Sequence, residues 1–435
     1  MDLHDSKAFS RRLFLNRGVT LASACLTVPA FMQRSAFAIA GQSSSLLSSV
    51  AGVPEDRVLV VVQLGGGNDG LNTVVPFADD AYYRARPRIG IPKKSVLRLD
   101  ARSLVGLHPN LAGLKGLYDD GVLSVVQGVG YPNPNRSHFT SMDIWHTATT
   151  TGVGDGWLGR YFDNECAGTP GTPGGPGGCE QTMGVSISEQ TPLAMTGSGY
   201  APVNFEREEL FRWAGARDKP MREGYSRIIG AEDEHHENPT AEFLTRTAMD
   251  AQVVSKTMRE AVGQDPLVAY PRSELGKQLA MVGSMIRAGM GTRVYYVSMG
   301  GFDTHAGQGG EQGRHAQLLT QFGDAMRAFS ADLKAQGNDG RVLTMCFSEF
   351  GRRVGQNGSN GTDHGTAAPM FLMGPMVKPG LAGRHPSLTD LDGGDLKFGT
   401  DFRNVYAAVL SRWLKADDRA VLGRRYSQAR VLGRV

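Results

Sequence analysis

Three stretches of this chain, from Arg57 to Leu64, from Val294 to Met299 and from Val342 to Phe347, are apolar almost throughout instead of alternating with polar residues. A strand of that composition has to be covered on both faces, which a parallel sheet between two helical layers provides and a half-wet antiparallel sheet does not. Each stretch empties into glycine-rich text carrying an acid. The first leaves through Gly65 to Gly70 with Asp69, the second through Gly300-Gly301-Phe302-Asp303-Thr304-His305, and the third through Ser348-Glu349-Phe350-Gly351-Arg352 towards Thr362-Asp363-His364-Gly365. Reactive groups of open α/β sheets gather in the crevice beyond the carboxyl ends of the strands. The expectation is an α/β fold with a mostly parallel central sheet, helices on both faces, and these exits converging at one end.

The text between the strands fits this plan. Leu111, Leu114 and Leu117 mark one helical face, Leu275, Leu279, Val282 and Ile286 a second, and Leu319, Phe322, Met326, Phe329 and Leu333 a third, all stepping by three and four. A further apolar strand is predicted from Val122 to Gln127. Its exit runs through Pro132 and Pro134 to Arg136-Ser137-His138, where Ser137 opens the next helix. Pro369 to Met373 reads as another buried strand and Phe402 to Leu414 as a closing helix. From about 154 to 239 the pattern dissolves into glycine, proline and charge, which predicts an insertion over the edge or mouth of the sheet. Glu232 to Glu237, with His235 and His236, reads as a solvated mixed-charge loop.

Before the first strand, Ser10-Arg11-Arg12-Leu13-Phe14-Leu15 precedes a mildly apolar run and then Ala36-Phe37-Ala38, the order of a twin-arginine export signal. Cleavage is expected after Ala38 or Ala40, leaving one domain from 39 to 435 in the periplasm or outside the cell, with the twin-arginine translocase as a partner during export. The leader carries five basic residues against two acidic ones, a net of +3 that equals the formal charge of the whole chain. The remainder is therefore near neutral and has no bias towards nucleic acid. No other apolar run is long enough to span a bilayer. Cys166 and Cys179 bracket a Gly/Pro/Thr run and are expected to pair in an oxidising compartment, whereas Cys346 reads as a small buried hydrophobe.

The polar residues at the exits suggest a chemistry. A carboxylate beside an imidazole offers oxygen and nitrogen to a divalent cation such as zinc, manganese, magnesium or calcium. Asp303 and His305, two apart, project to one side of an extended segment. Asp363 and His364 need their loop to bring them together. Asp69 has two readings, a ligand or the cap of the following helix. Ser137 likewise reads either as an N-cap or as a metal-activated nucleophile attacking phosphorus or sulfur, with Arg136 or Arg352 holding the non-bridging oxygens. For Arg352 an ion pair with Glu349 is the alternative. The glycines after the first strand match neither a P-loop nor a dinucleotide fingerprint, and no G-x-S-x-G elbow surrounds Ser137.

Six motifs in order, Gly-Gly-Asn-Asp-Gly-Leu-Asn, Arg-Ser-His-Phe, Gly-Trp-Leu-Gly-Arg, Phe-Asp-Thr-His, Ser-Glu-Phe-Gly-Arg and Gly-Thr-Asp-His-Gly, make the chain resemble the family known as domain of unknown function 1501. That family is exported and has no settled activity, and its fold is grouped with the alkaline phosphatase and sulfatase superfamily. The resemblance implies an alkaline phosphatase-like domain with metal ligands at Asp69, Asp303, His305, Asp363 and His364, and a nucleophile at Ser137. In alkaline phosphatases the first Asp and His are four apart; here they are two apart. His385 is the nearest match for the last histidine ligand, and Glu349 is the alternative donor. The implied activity is metal-dependent hydrolysis of small phosphate or sulfate esters. The alternative is a non-catalytic exported binding or assembly protein that keeps the fold.

Overall fold

The structure, a computed structural model, describes residues 57–166, 182–206 and 255–433. The leader, the loop with Cys179 and the stretch with His235 and His236 lie outside the described residues. The strands of the central sheet are β1 (Val58–Leu64), β2 (Leu123–Gly130), β3 (Gly184–Ile187), β4 (Val203–Phe205), β5 (Val294–Met299), β6 (Val342–Phe347), β7 (Ala368–Met373), β8 (Gly380–Ala382) and β9 (Thr400–Asp401). Their order is β8-β2-β7-β6-β1-β5-β3-β4, with β9 also alongside β2.

The sheet is mostly parallel. β1 pairs in parallel with β5 and β6, β3 with β5 and β4, and β2 with β8 and β9. Only β7 runs against its neighbours β2 and β6. Its direction matters for the site, because its start and not its end lies at the carboxyl edge of the parallel strands. The loop that precedes it, carrying Asp363 and His364, is thereby delivered to the same edge as the exits of β1, β5 and β6.

Side chains alternate along β1 into two separate cores, as a strand covered on both faces requires. Val58, Val60, Val62 and Leu64 join a core with α1 (Ala112–Asp119), α4 (Glu274–Arg287) and α5 (Arg314–Gln336). Leu59 and Val61 join the opposite core, built with α2 (His138–Thr147), α3 (Trp157–Cys166), α6 (Phe402–Ala408) and α7 (Asp418–Leu422). The helix faces read from the sequence are those that are buried. The closing helix is also present, continuing from α6 into a π-helical run over Val409–Leu414.

The described parts of the segment expected as an insertion contribute the edge of the sheet itself. Trp157 to Cys166 is α3, packed on the sheet, and β3 and β4 extend the sheet beyond β5. These strands have four and three residues, too few to show a period against the surrounding glycine and proline. Cys166 is disulfide-bonded, and its expected partner is outside the described residues. Cys346 is a buried free thiol. No described helix is long and apolar enough to cross a membrane.

Candidate metal centre

Packing of α2 fixes one corner of the site. Trp145, near the end of α2, stacks on Phe347 at 5.0 Å and on Phe402 at 4.3 Å. Contacts of this kind contribute about 0.5–1.5 kcal/mol each beyond the area they bury. Phe347 is the last residue of β6, so the stack holds α2 against the exit that carries Glu349. Ser141 strengthens the same junction by donating to the Glu349 carbonyl at 2.6 Å. The first residue of α2, His138, therefore meets Glu349: its Nδ1 donates to Oε1 at 2.8 Å. Glu349 is buried and also accepts from the Gly66 amide at 2.8 Å and from Ser348 Oγ at 3.1 Å.

Loops from β1 and β5 then close in. Gly66 has φ +113°, and a Cβ there would lie 2.5 Å from the Asp303 amide, so the two loops touch through a position that only glycine accommodates. Gly361 allows a second close approach, since a Cβ on it would lie 2.3 Å from the His305 carbonyl. The Thr362 amide donates to the Thr304 carbonyl at 3.2 Å beside it.

At the meeting point three imidazoles surround one carboxylate oxygen. Asp303 Oδ1 lies 3.2 Å from His364 Nε2, 3.2 Å from His305 Nε2 and 3.5 Å from His138 Nε2. The Nε2 atoms of His305 and His364 are 2.8 Å apart. Ligand atoms of His138, Asp303 and His364 all lie within 4.8 Å of one another. Each ring has an oxygen on its other side. His138 Nδ1 faces Glu349, His364 Nδ1 donates to the Arg136 carbonyl at 2.8 Å, and His305 Nδ1 is 3.4 Å from Asp363 Oδ1. Those partners place a proton on each Nδ1 and leave each Nε2 lone pair facing Asp303.

Such a set of lone pairs around a carboxylate repels itself unless a cation or a shared proton lies among them. His138 Nε2 is a buried atom with no hydrogen-bond partner, which normally carries a penalty. Donors about 2.0–2.1 Å from one ion lie roughly 3.3 Å from each other, close to the 3.2 Å and 3.5 Å from Asp303 Oδ1 to His364 Nε2 and His138 Nε2. The residues present thus fit a divalent metal.

Electrostatics agree with a cation-ready site. Burial opposes ionisation of Asp303, but its charged partners, the Arg352 guanidinium foremost, outweigh it and bring the carboxyl down to about 2. The bond to Glu349 raises His138, whereas burial lowers His364. The hydrogen bond from Asn357 holds the Asp363 carboxyl below its ordinary value.

The residues singled out from sequence sort into three groups. Asp303, His305 and His364 face one another, and Glu349 and Asp363 stand behind His138 and His305 with their oxygens on Nδ1. Asp69 takes the capping place. Its Oδ1 accepts from the amides of Leu71 and Asn72, and its Oδ2 from Arg86 Nη1 and Gln308 Nε2, each at 2.5 Å. Asp69 and Arg86 are both fully buried; burial disfavours the Asp69 carboxylate, and Arg86 more than compensates, so its pKa is lowered. Gln308 also accepts from Thr304 and Thr362, tying both histidine loops to this buried pair.

The arginines are engaged as well. Arg352 is buried and donates to the carbonyls of Gly66, Gly67, Phe302 and Thr362 and, at 2.7 Å, to Asp303 Oδ1. Its ion-pair partner is therefore Asp303 and not Glu349, and it clamps three loops together. Arg136 pairs with Asp395. Ser137 is the exposed N-cap residue of α2, and its side chain makes no capping hydrogen bond. His385 stands apart, with Nδ1 at the Pro386 carbonyl.

Sequence reasoning assigned His138 no ligand role, although it follows the exit of β2 as the other site residues follow theirs. Arg86 and Gln308 gave no signal. They lie in loop text, and only the fold brings them to Asp69.

Among curated proteins none matches this sequence. Several solved structures are similar. A protein described as Ps i-CgsB in complex with k-i-k-neocarrahexaose shares 9% identity over 85% of this chain and 72% of its own, at a TM-score of 0.38. The PsFucS1 sulfatase from Pseudoalteromonas sp. shares 11% over 86% and 73%, at 0.35. The lipoteichoic acid synthase LtaP from Listeria monocytogenes shares 9% over 80% and 73%, at 0.33. At these TM-scores the likenesses carry no inference about chemistry. In sequence, the family described as protein of unknown function (DUF1501) matches residues 127–422, a span that takes in α2, the Asp303 loop and the Asp363-His364 loop, and the chain belongs to that family.

Proposed function

We propose that this protein is an exported, metal-dependent hydrolase of small phosphate or sulfate esters. The observation that carries the proposal is the convergence of three imidazole Nε2 atoms on Asp303 Oδ1, each ring held from behind by an oxygen. His138, Asp303 and His364 would hold the ion, with His305 beside them. A nitrogen-rich donor set favours zinc or manganese over magnesium and calcium, which prefer all-oxygen shells. A divalent ion supplies Lewis-acid polarisation of an ester oxygen and lowers the pKa of a nearby hydroxyl.

The chain's own groups suit an anionic ester. Ser137 stands at the positive end of α2, one residue from His138, with a hydroxyl not used in capping. In the proposed reaction Ser137 Oγ bonds to phosphorus or sulfur as the bond to the leaving alcohol breaks, and water later releases the serine. Ser137→Ala is expected to abolish hydrolysis of aryl phosphate and sulfate esters with metal content unchanged. Because no capping bond is lost, stability should fall by less than the roughly 1 kcal/mol of an ordinary cap. Turnover undiminished in Ser137→Ala removes the serine from the mechanism.

One observation favours a second reading, a metal-bearing but non-catalytic binding protein. Both arginines expected at the substrate, Arg136 and Arg352, are engaged within the protein. A metal-loaded wild type that cleaves none of these esters selects it. Export rests on the Arg11-Arg12 leader. Changing both to lysine is expected to leave precursor in the cytoplasm, and normal export of that variant overturns the twin-arginine route.

A further inference from the structure

We infer that Asp395 is a positioning residue of the metal centre, acting on His364 through Arg136, an inference that rests on the metal-centre reading above. Asp395 belongs to the short hairpin in which Leu391 pairs with Leu396 and Asp392 with Asp395. That hairpin has its own anchors. Leu396 is buried in a satellite core with Leu71, Val75 and Val354, and Thr366 Oγ1 donates to the Leu396 carbonyl at 2.5 Å. Asp395 is 2% exposed and pairs with the guanidinium of Arg136.

Arg136 lies on a far less anchored segment. Residues 132–137 are all exposed, and the hydrogen bonds of Asn135 run to Tyr131 and Ser137 within the same turn. The ion pair therefore ties this turn to a firm base. The Arg136 carbonyl is the group that accepts from His364 Nδ1. The resulting chain runs from the Asp395 carboxylate to the Arg136 side chain, through its backbone to the carbonyl, and on to the ring that points Nε2 at Asp303. Partners behind ligating histidines fix ring orientation, and their loss typically weakens metal binding about ten- to a hundredfold. Asp395 reaches that partner at one remove. Arg353, the second cation near Asp395 at 3.5 Å, turns its side chain to the hairpin, where it donates to the Gly393 carbonyl at 3.1 Å, and serves as the control.

The test is zinc affinity of the full chain, measured by competition with a chelating dye, alongside the thermal midpoint of the metal-free protein. Asp395→Asn and Arg136→Met, which approach the pair from either side, are expected to weaken zinc binding by about tenfold or more. Arg353→Met is expected to leave it unchanged, and Arg136→Lys to restore part of the loss. If Asp395→Asn fails to fold, the Arg136 variants decide. Affinity equal to wild type in Arg136→Met overturns the positioning role while leaving the metal centre standing. An equal loss in Arg353→Met also overturns it, by showing a general effect of the hairpin. A wild type that binds no zinc under any loading condition instead removes the metal centre, and this role with it.

Discussion

Replacing Asp69 by alanine is expected to lower stability by about 3–5 kcal/mol and to leave metal binding intact. Asp69 and Arg86 form an ion pair with neither side chain exposed. Removing the acid leaves a guanidinium in the interior without its counter-charge, which costs far more than the pair itself contributes. The helical turn Gly70–Thr73 would lose its cap at the same time, and Gln308 would lose the partner that ties it to β1. Urea denaturation reads the first effect and metal analysis of the folded fraction the second. A variant of wild-type stability that has lost its metal would show that Asp69 is a ligand after all.

The fate of Asp69 illustrates what a linear reading can and cannot reach. Continuous apolar runs announced parallel strands because burial on both faces leaves no room for polar alternation, and β1, β5 and β6 are such strands. Helix faces were legible for the same reason, burial at intervals of three and four. That the exits meet at one edge followed from strand direction. The reversed β7 left no mark, since an interior antiparallel strand has the same composition as a parallel one. Residue types at the exits marked loops that converge, but not that Asp303 faces ring nitrogens while Asp69 is taken up by Arg86 and a helix cap. Asp303 and Asp69 both follow a glycine turn, and what separates them is the set of partners the fold brings to each, Arg86 and Gln308 to Asp69 and the imidazoles to Asp303. Glu349 was placed correctly at its strand end, yet its function depends on His138 arriving from α2, a contact 211 residues apart in sequence.

The largest expected effect lies at the cluster itself. His138→Ala, Asp303→Ala or His364→Ala each removes a donor from the converging set, and each loss should exceed the roughly ten- to hundredfold typical of outer partners. Asp303→Ala carries an added cost, because Arg352 would keep its four carbonyls but lose the carboxylate at 2.7 Å. Its metal content must therefore be measured on protein shown to be folded. His364→Ala is the cleaner case, as the ring is partly exposed and its outer contact is to a backbone carbonyl. Hydrolysis of aryl phosphate and sulfate esters should disappear with the metal in all three.

Elemental analysis of the purified, folded protein after exposure to zinc or manganese tests the centre most directly, with wild type, His364→Ala and Asp69→Ala assayed together. A divalent ion retained by wild type and Asp69→Ala and absent from His364→Ala is the predicted result; no ion in wild type, or an equal amount in His364→Ala, would contradict it.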